Sequence, residues 1–136
     1  MDLPKIQTLM RRAKQASQKS TFHTMIGAVI VSNGKVISTG WNQEKTHPFV
    51  KLNGQYKTAD GWHIAKNIHA EVAAVFKIKN KESLEGATII VYRQGKNGDM
   101  LNSRPCPMCE KVLRQYGFKK MIFTVDGGVQ EEFLLD

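Results

Sequence analysis

Cysteine is scarce in this chain, with two in 136 residues, and both lie within Cys106-Pro107-Met108-Cys109. So few rule out a disulfide framework, and a chain of this length is able to bury a real core without one. Long apolar runs are missing too. No stretch approaches the roughly 20 apolar residues of a membrane-crossing helix, and Met1-Asp2-Leu3-Pro4-Lys5 has no signal-peptide core. The expectation is a cytoplasmic protein with no membrane partner. Repeats and low-complexity tracts are absent, which predicts a single domain over residues 1–136. Acidic residues are few: 12 against 20 Lys and Arg, for a formal net charge of +8. Such an excess points to an anionic partner, although Arg11, Lys14 and Lys19 also fit the solvated face of a helix.

What is present is a pair of short motifs, His69-Ala70-Glu71 and Pro105-Cys106-Pro107-Met108-Cys109. Zinc prefers four tetrahedral nitrogen and sulfur donors, and a catalytic site keeps one position open for water. His69, Cys106 and Cys109 make three donors, and Glu71 is a spare carboxylate beside them. Local structure favours their convergence. Asn67 is a candidate N-cap for a helix over residues 69–79, with Val72, Val75 and Phe76 as its apolar stripe. Residues two apart do not share a helix face, so His69 and Glu71 meet one metal only near the first turn. Pro105 and Pro107 suit the start of a second helix, where an N–H is not needed, and Cys106 and Cys109 then share one face of its first turn. A helix start also favours the thiolate. Taken alone, Cys-x-x-Cys reads equally well as a redox dithiol or a buried pair. A purely structural zinc site needs a fourth ligand from His23, His47 or His63, none of which has finger-like spacing.

Around the motifs, residues 4–19 carry Ile6, Leu9, Met10 and Ala13 at helical spacing. Residues 25–31 and 36–41 read as strands joined at Asn33-Gly34, a strong hairpin signal. Periodicity fades over residues 42–66, a long stretch of the kind that often serves function. Strands follow at 87–92 and 120–125, on either side of a polar loop at 94–104 and the cysteine helix, which Gly117 caps. Asp126-Gly127-Gly128 is a turn signal, and residues 129–135 are expected to return as an antiparallel strand. A parallel return needs a dozen or more residues, and eleven remain after Val125.

The conjunction of H-x-E with P-C-x-x-C resembles the zinc-dependent deaminases of cytosine and adenine. The element order is similar to the cytidine-deaminase-like fold, over nearly the whole chain. The resemblance implies an α/β, three-layer architecture. Its mixed five-stranded sheet has helices on both faces, the two zinc helices lie side by side on one of them, and here an antiparallel hairpin ends the fold. It implies bound Zn2+ on His69, Cys106 and Cys109, with Glu71 carrying the water proton to the ring and the departing amine. It places Asn42 against the sugar or base and Gly27-Ala28 where a base nears the sheet; Trp41, Ala70, Arg93 and Arg104 are further candidates for substrate contact, the two arginines because they flank the metal motif. The antiparallel ending is similar to the branch holding free cytidine deaminases and toxin-like deaminases of DNA. Lys45-Thr46-His47-Pro48 resembles phage enzymes described as deoxycytidylate deaminases, without their second metal-binding insertion.

The reaction expected is hydrolysis of cytosine to uracil. Arg93, Lys96, Arg104 and Arg114, together with Phe49, Tyr56 and Trp62, lead to a DNA or RNA strand as the first substrate expectation. A free nucleotide such as deoxycytidylate, an adenosine or guanine deaminase, and a non-catalytic zinc-stapled nucleic-acid-binding module are the alternatives.

Overall fold

The computed structural model describes residues 3–22, 24–43, 55–58, 61–64 and 69–134. Helix α1 (Leu3–Ser17) leads into strands β1 (Met25–Ser32) and β2 (Lys35–Trp41), and a small hairpin of β3 (Gln55–Thr58) and β4 (Gly61–Ile64) follows. Then come α2 (Ala70–Lys77), a 3-10 turn (Lys81–Leu84), β5 (Thr88–Gln94), α3 (Pro107–Gln115), β6 (Lys120–Val125) and β7 (Gly128–Phe133). The main sheet has five strands in the order β2-β1-β5-β6-β7. Only β5 and β6 run parallel; the other neighbours are antiparallel. The expected terminal hairpin is therefore present, turning at Asp126-Gly127 to pair Val125 with Gly128. No helix among the described residues is long and apolar enough to cross a membrane.

Strand alternation divides the core in two. Val29, Val31, Ile90 and Ile122 point to one face and pack against Ile6, Leu9, Met10 and Ala13 of α1. Ala28, Ile30, Ile89, Val91, Met121 and Phe123 point to the other, where α2 and α3 cover them with Val72, Val75, Val112 and Leu113. Because β1, β5 and β6 are covered on both sides, their sequences read as nearly unbroken apolar runs.

Two glycines set how closely the helices lie on the sheet. A Cβ on Gly27 would come 2.0 Å from the Ala13 carbonyl oxygen, so α1 rests on bare strand backbone there. A Cβ on Gly40 would come 2.5 Å from the Ala70 carbonyl oxygen, and this brings the start of α2 down onto β2. Gly27 thus faces α1. The expectation that it clears room for a base is corrected: of Gly27-Ala28, only Ala28 faces the zinc helices.

Three further details depart from the sequence reading. The stretch 42–66 contains the β3–β4 hairpin, whose strands are only four residues each and lack a clear period. Helix α2 starts with His69 as its N-cap, and Asn67 lies outside the described residues. The helix stops at Lys77 because Ile78 adopts an extended backbone. At Asn33-Gly34, by contrast, both residues take positive φ (52° and 78°), as the tight β1–β2 turn requires.

Candidate metal centre

Both motifs present their first metal donor from a helix N-cap. His69 has extended backbone (φ −78°, ψ 155°), while its carbonyl already accepts the Ala73 N–H at 2.9 Å. Cys106 repeats the arrangement: φ −68°, ψ 167°, its carbonyl accepting the Glu110 N–H at 2.8 Å and Pro107 opening the helix. An N-cap side chain folds back over the first turn, so Cys106 reaches Cys109 three residues on. The same freedom lets His69 and Glu71, two residues apart, share one site.

The donors converge. His69 Nδ1 lies 3.5 Å from Cys106 Sγ and 3.3 Å from Cys109 Sγ. The ligand atoms of His69, Cys106 and Cys109 all fall within 4.8 Å of one another. A tetrahedral zinc with ordinary Zn–S and Zn–N lengths has an S···N edge of about 3.6 Å. One imidazole nitrogen and two sulfurs at these separations therefore fit zinc.

Electrostatics agree with the donor set. The hydrogen bond from the Cys109 thiol holds Cys106 as a thiolate, with its pKa lowered to about 4, and His69 reinforces this. The Cys109 thiol goes well above its usual value through that same bond, burial and the Glu71 charge. Burial acts to lower the His69 pKa, but the bond to Cys106 and the charges of Glu71 and Cys106 leave it raised. Glu71 is buried, and desolvation lifts its carboxyl pKa, opposed by the charge of His69 and by a hydrogen bond with Cys109. A buried carboxyl thus stands beside the three candidate donors.

The other expected site residues scatter. Ala70 lies at the site, its backbone against Gly40. Asn42 stands beside Ile26, its Oδ1 accepting the Ile26 N–H at 3.1 Å and its amide donating to the Thr24 carbonyl at 2.9 Å. These bonds make it a brace of the β1 start, with one N–H and a lone pair left over. Trp41 is placed elsewhere: it pairs with Gly27, whose missing side chain would point at α1, so its ring is on the face away from the metal donors. The ring is held between Lys19 Nζ, just past α1, at 4.9 Å and Lys77 Nζ, at the C-terminal end of α2 and away from the His69 end, at 4.4 Å. Trp41 as a substrate contact is corrected by that parity. Arg104 is near Cys106 in sequence, but its guanidinium bonds Glu110 and Glu132 at 2.6 Å each, so its fork is already occupied. Arg114 is similarly bound to Glu110 at 3.3 Å and to the Leu134 carbonyl at 2.7 Å. Arg93 remains on the metal face. Lys45-Thr46-His47-Pro48, Phe49, His23 and the side chains of Tyr56, Trp62 and His63 lie outside the described residues.

Sequence reasoning missed Ser103. Where β5 and β6 part, its buried hydroxyl donates to the Val91 carbonyl and accepts the Thr124 N–H, each at 2.7 Å. It thereby locks the approach to Cys106. A serine at the end of a polar loop carries no visible mark of burial.

Comparison with known proteins defines the class. Residues 3–125 match the model of the cytidine and deoxycytidylate deaminase zinc-binding region, so the chain belongs to this family, and zinc is its cofactor. It is an enzyme that deaminates a cytosine-type base. Among particular relatives, the deoxycytidylate deaminase of Enterobacteria phage T4 is 27% identical, over 88% of this chain and 77% of its own. The deoxycytidylate deaminase of phage T2 is also 27% identical. The crystal structure of cyanophage S-TIM5 dCMP deaminase in complex with dCMP and dUMP aligns at a TM-score of 0.64 and 25% identity, covering 93% of this chain and 85% of that one. The cytidine deaminase of Burkholderia pseudomallei shares the fold, at a TM-score of 0.62 and 21% identity over 94% of this chain and 91% of that one.

Proposed function

We propose that this protein deaminates a free cytosine nucleotide, with deoxycytidylate as the leading substrate, and that the reaction hydrolyses the 4-amino group to give the uracil nucleotide and ammonia. The observation that carries the reading is the likeness to phage deoxycytidylate deaminases over 88% of the chain, with His69, Cys106 and Cys109 clustered and Glu71 buried beside them. The first substrate expectation, a DNA or RNA strand, gives way. Two of the four cations offered for phosphates, Arg104 and Arg114, are tied to Glu110, Glu132 and the Leu134 carbonyl.

In this reading His69, Cys106 and Cys109 hold the metal, and Glu71 moves protons. Zinc, when bound, supplies a Lewis acid that ionises water near neutral pH. Glu71 takes the proton of the attacking water and passes it to the ring nitrogen N3. It then takes the remaining hydroxyl proton and delivers it to the departing amine, so that the carboxylate is regenerated. Its burial suits the role: desolvation pushes the carboxyl pKa up from its usual range and so favours taking a proton. The start of α2, seated on Gly40, fixes Glu71 and His69 relative to the sheet.

The test is a substrate panel with purified protein: deoxycytidylate, cytidylate, deoxycytidine, cytidine, single-stranded DNA and RNA, and adenine counterparts. Deoxycytidylate is expected to exceed every oligonucleotide by at least about 100-fold in kcat/KM. Turnover of oligonucleotides with the mononucleotides inert would reinstate the strand reading.

A further inference from the structure

We infer that Arg93 is the specificity residue that reads the 5′-phosphate of the substrate, a conclusion that rests on the free-nucleotide reading above. The register of the sheet places it. Gly40, Ala28 and Val91 stand side by side across β2, β1 and β5, and the start of α2 sits on the Gly40 end of that row. Two residues along each strand, on the same face, come Asn42, Ile26 and Arg93: Ile26 is the register partner of Arg93 and exchanges backbone and side-chain bonds with Asn42. Two strand residues span about 7 Å. That is the scale separating a cytosine amine from the 5′ end of its sugar. Arg93 thus lies one step farther out on the metal face, along the line a nucleotide takes.

The state of its guanidinium points to an anion. Nη1 donates to the Asn102 carbonyl at 3.2 Å, whereas Nε is buried and has no hydrogen-bond partner among the described residues. No carboxylate among the described residues forms an ion pair with it, in contrast to Arg104 and Arg114. A half-buried cation whose N–H finds no partner and whose charge finds no carboxylate among the described residues is costly, and the fork of an arginine matches phosphate oxygens two at a time. The Asn102 carbonyl is four residues before Cys106, so the same side chain that meets the phosphate also touches the segment leading to a metal donor. A nucleotide has such a phosphate and a nucleoside does not, so Arg93 separates the two.

The experiment compares wild type, Arg93→Gln and Arg93→Lys on deoxycytidylate and deoxycytidine. Thermal protection by deoxyuridylate and deoxyuridine is measured in parallel, and zinc content and melting confirm folding. Arg93→Gln is expected to raise KM for deoxycytidylate about 10- to 100-fold, with kcat changed far less. Deoxycytidine turnover should move less than about threefold, and protection by deoxyuridylate should fall to the level given by deoxyuridine. Arg93→Lys should recover part of the loss, because it restores charge without the fork. In wild type, inorganic phosphate should compete with deoxycytidylate, and Arg93→Lys should blunt that competition. Equal losses on nucleotide and nucleoside in both variants would make Arg93 a brace for the Asn102 loop and overturn the inference. A wild type inert toward every mononucleotide would instead overturn the functional reading itself.

Discussion

The two faces of the central sheet are built from the same strands, yet among the described residues only one gathers metal donors. Toward α1, the strands offer Val29, Val31, Ile90 and Ile122 to an apolar helix stripe, with no thiol or carboxylate in that cluster. Toward α2 and α3, the helices arrive by their N-caps, and a buried glutamate joins an imidazole and two sulfurs. Neighbours in sequence fall on opposite sides of this divide. Trp41 leaves β2 on the α1 face and its ring sits between Lys19, just past α1, and Lys77, at the far end of α2, while Asn42, the next residue, braces the strand that floors the metal face. Alternation along a strand therefore decides which of two adjacent polar or aromatic residues can reach a substrate.

The largest expected effect separates the faces directly. Glu71→Gln keeps the shape of the side chain but removes its proton traffic, so kcat should drop about 100- to 10,000-fold. Zinc should stay near one per chain, because the roles proposed here make Glu71 no ligand. Metal analysis beside single-turnover kinetics checks both statements: retained turnover would move the shuttle elsewhere, and lost zinc would make Glu71 a ligand. Trp41→Leu, on the opposite face, should leave KM for deoxycytidylate within about twofold of wild type while losing the cation–π contacts, worth about 0.5–1 kcal/mol each at exposed positions.

An intermediate effect is expected from adding one methyl to each face. Gly27→Ala drives Cβ into the Ala13 carbonyl, and Gly40→Ala drives it into the Ala70 carbonyl and the Ala74 N–H. Both partners are backbone, which cannot rotate away, so each variant should lose roughly 1–3 kcal/mol or more by denaturant unfolding. Only Gly40→Ala moves the helix start that carries His69. It should release zinc to a chelator faster than wild type, and Gly27→Ala should not beyond what its lower stability explains. Equal zinc retention in the two would mean that the seat on Gly40 does not position the metal donors.

Much of this arrangement was legible in the residues. The strands came from β-branched runs such as residues 25–31 and the terminal hairpin from Asp126-Gly127-Gly128, because period and turn chemistry are local properties. The metal donors were legible because two helix starts with fixed spacings leave few other geometries. What stayed hidden was set by tertiary context. The divide between Trp41 and Asn42 depends on the β1–β2 register, and Gly27 and Gly40 differ only in which helix lies over them. Arg93, Arg104 and Arg114 look alike in sequence. Two of the partners, Glu132 for Arg104 and the Leu134 carbonyl for Arg114, come from β7 and its end, 28 and 20 residues away, and no spacing rule announces them. The expectation of a polynucleotide counted cations, beside Phe49, Tyr56 and Trp62, and the sequence does not show that Arg104 and Arg114 are already bound.

The smallest expected effect tests that neutralisation. Arg104 is 39% exposed and joins Glu110 at the start of α3 to Glu132 on β7, so the bridge staples the terminal hairpin to the cysteine helix. Exposed ion pairs contribute little, and Arg104→Ala should lower stability by only about 0.5–1 kcal/mol, a difference that added salt should shrink. Because its guanidinium is held by two carboxylates, removing it should leave KM for deoxycytidylate within about twofold. Glu110 then keeps Arg114 as a partner, and this limits the damage to α3. A tenfold rise in KM at unchanged melting temperature would mean that Arg104 leaves its carboxylates for the substrate. The contrast with Arg93 would then collapse, and the row beside the metal would have to share phosphate recognition between two arginines.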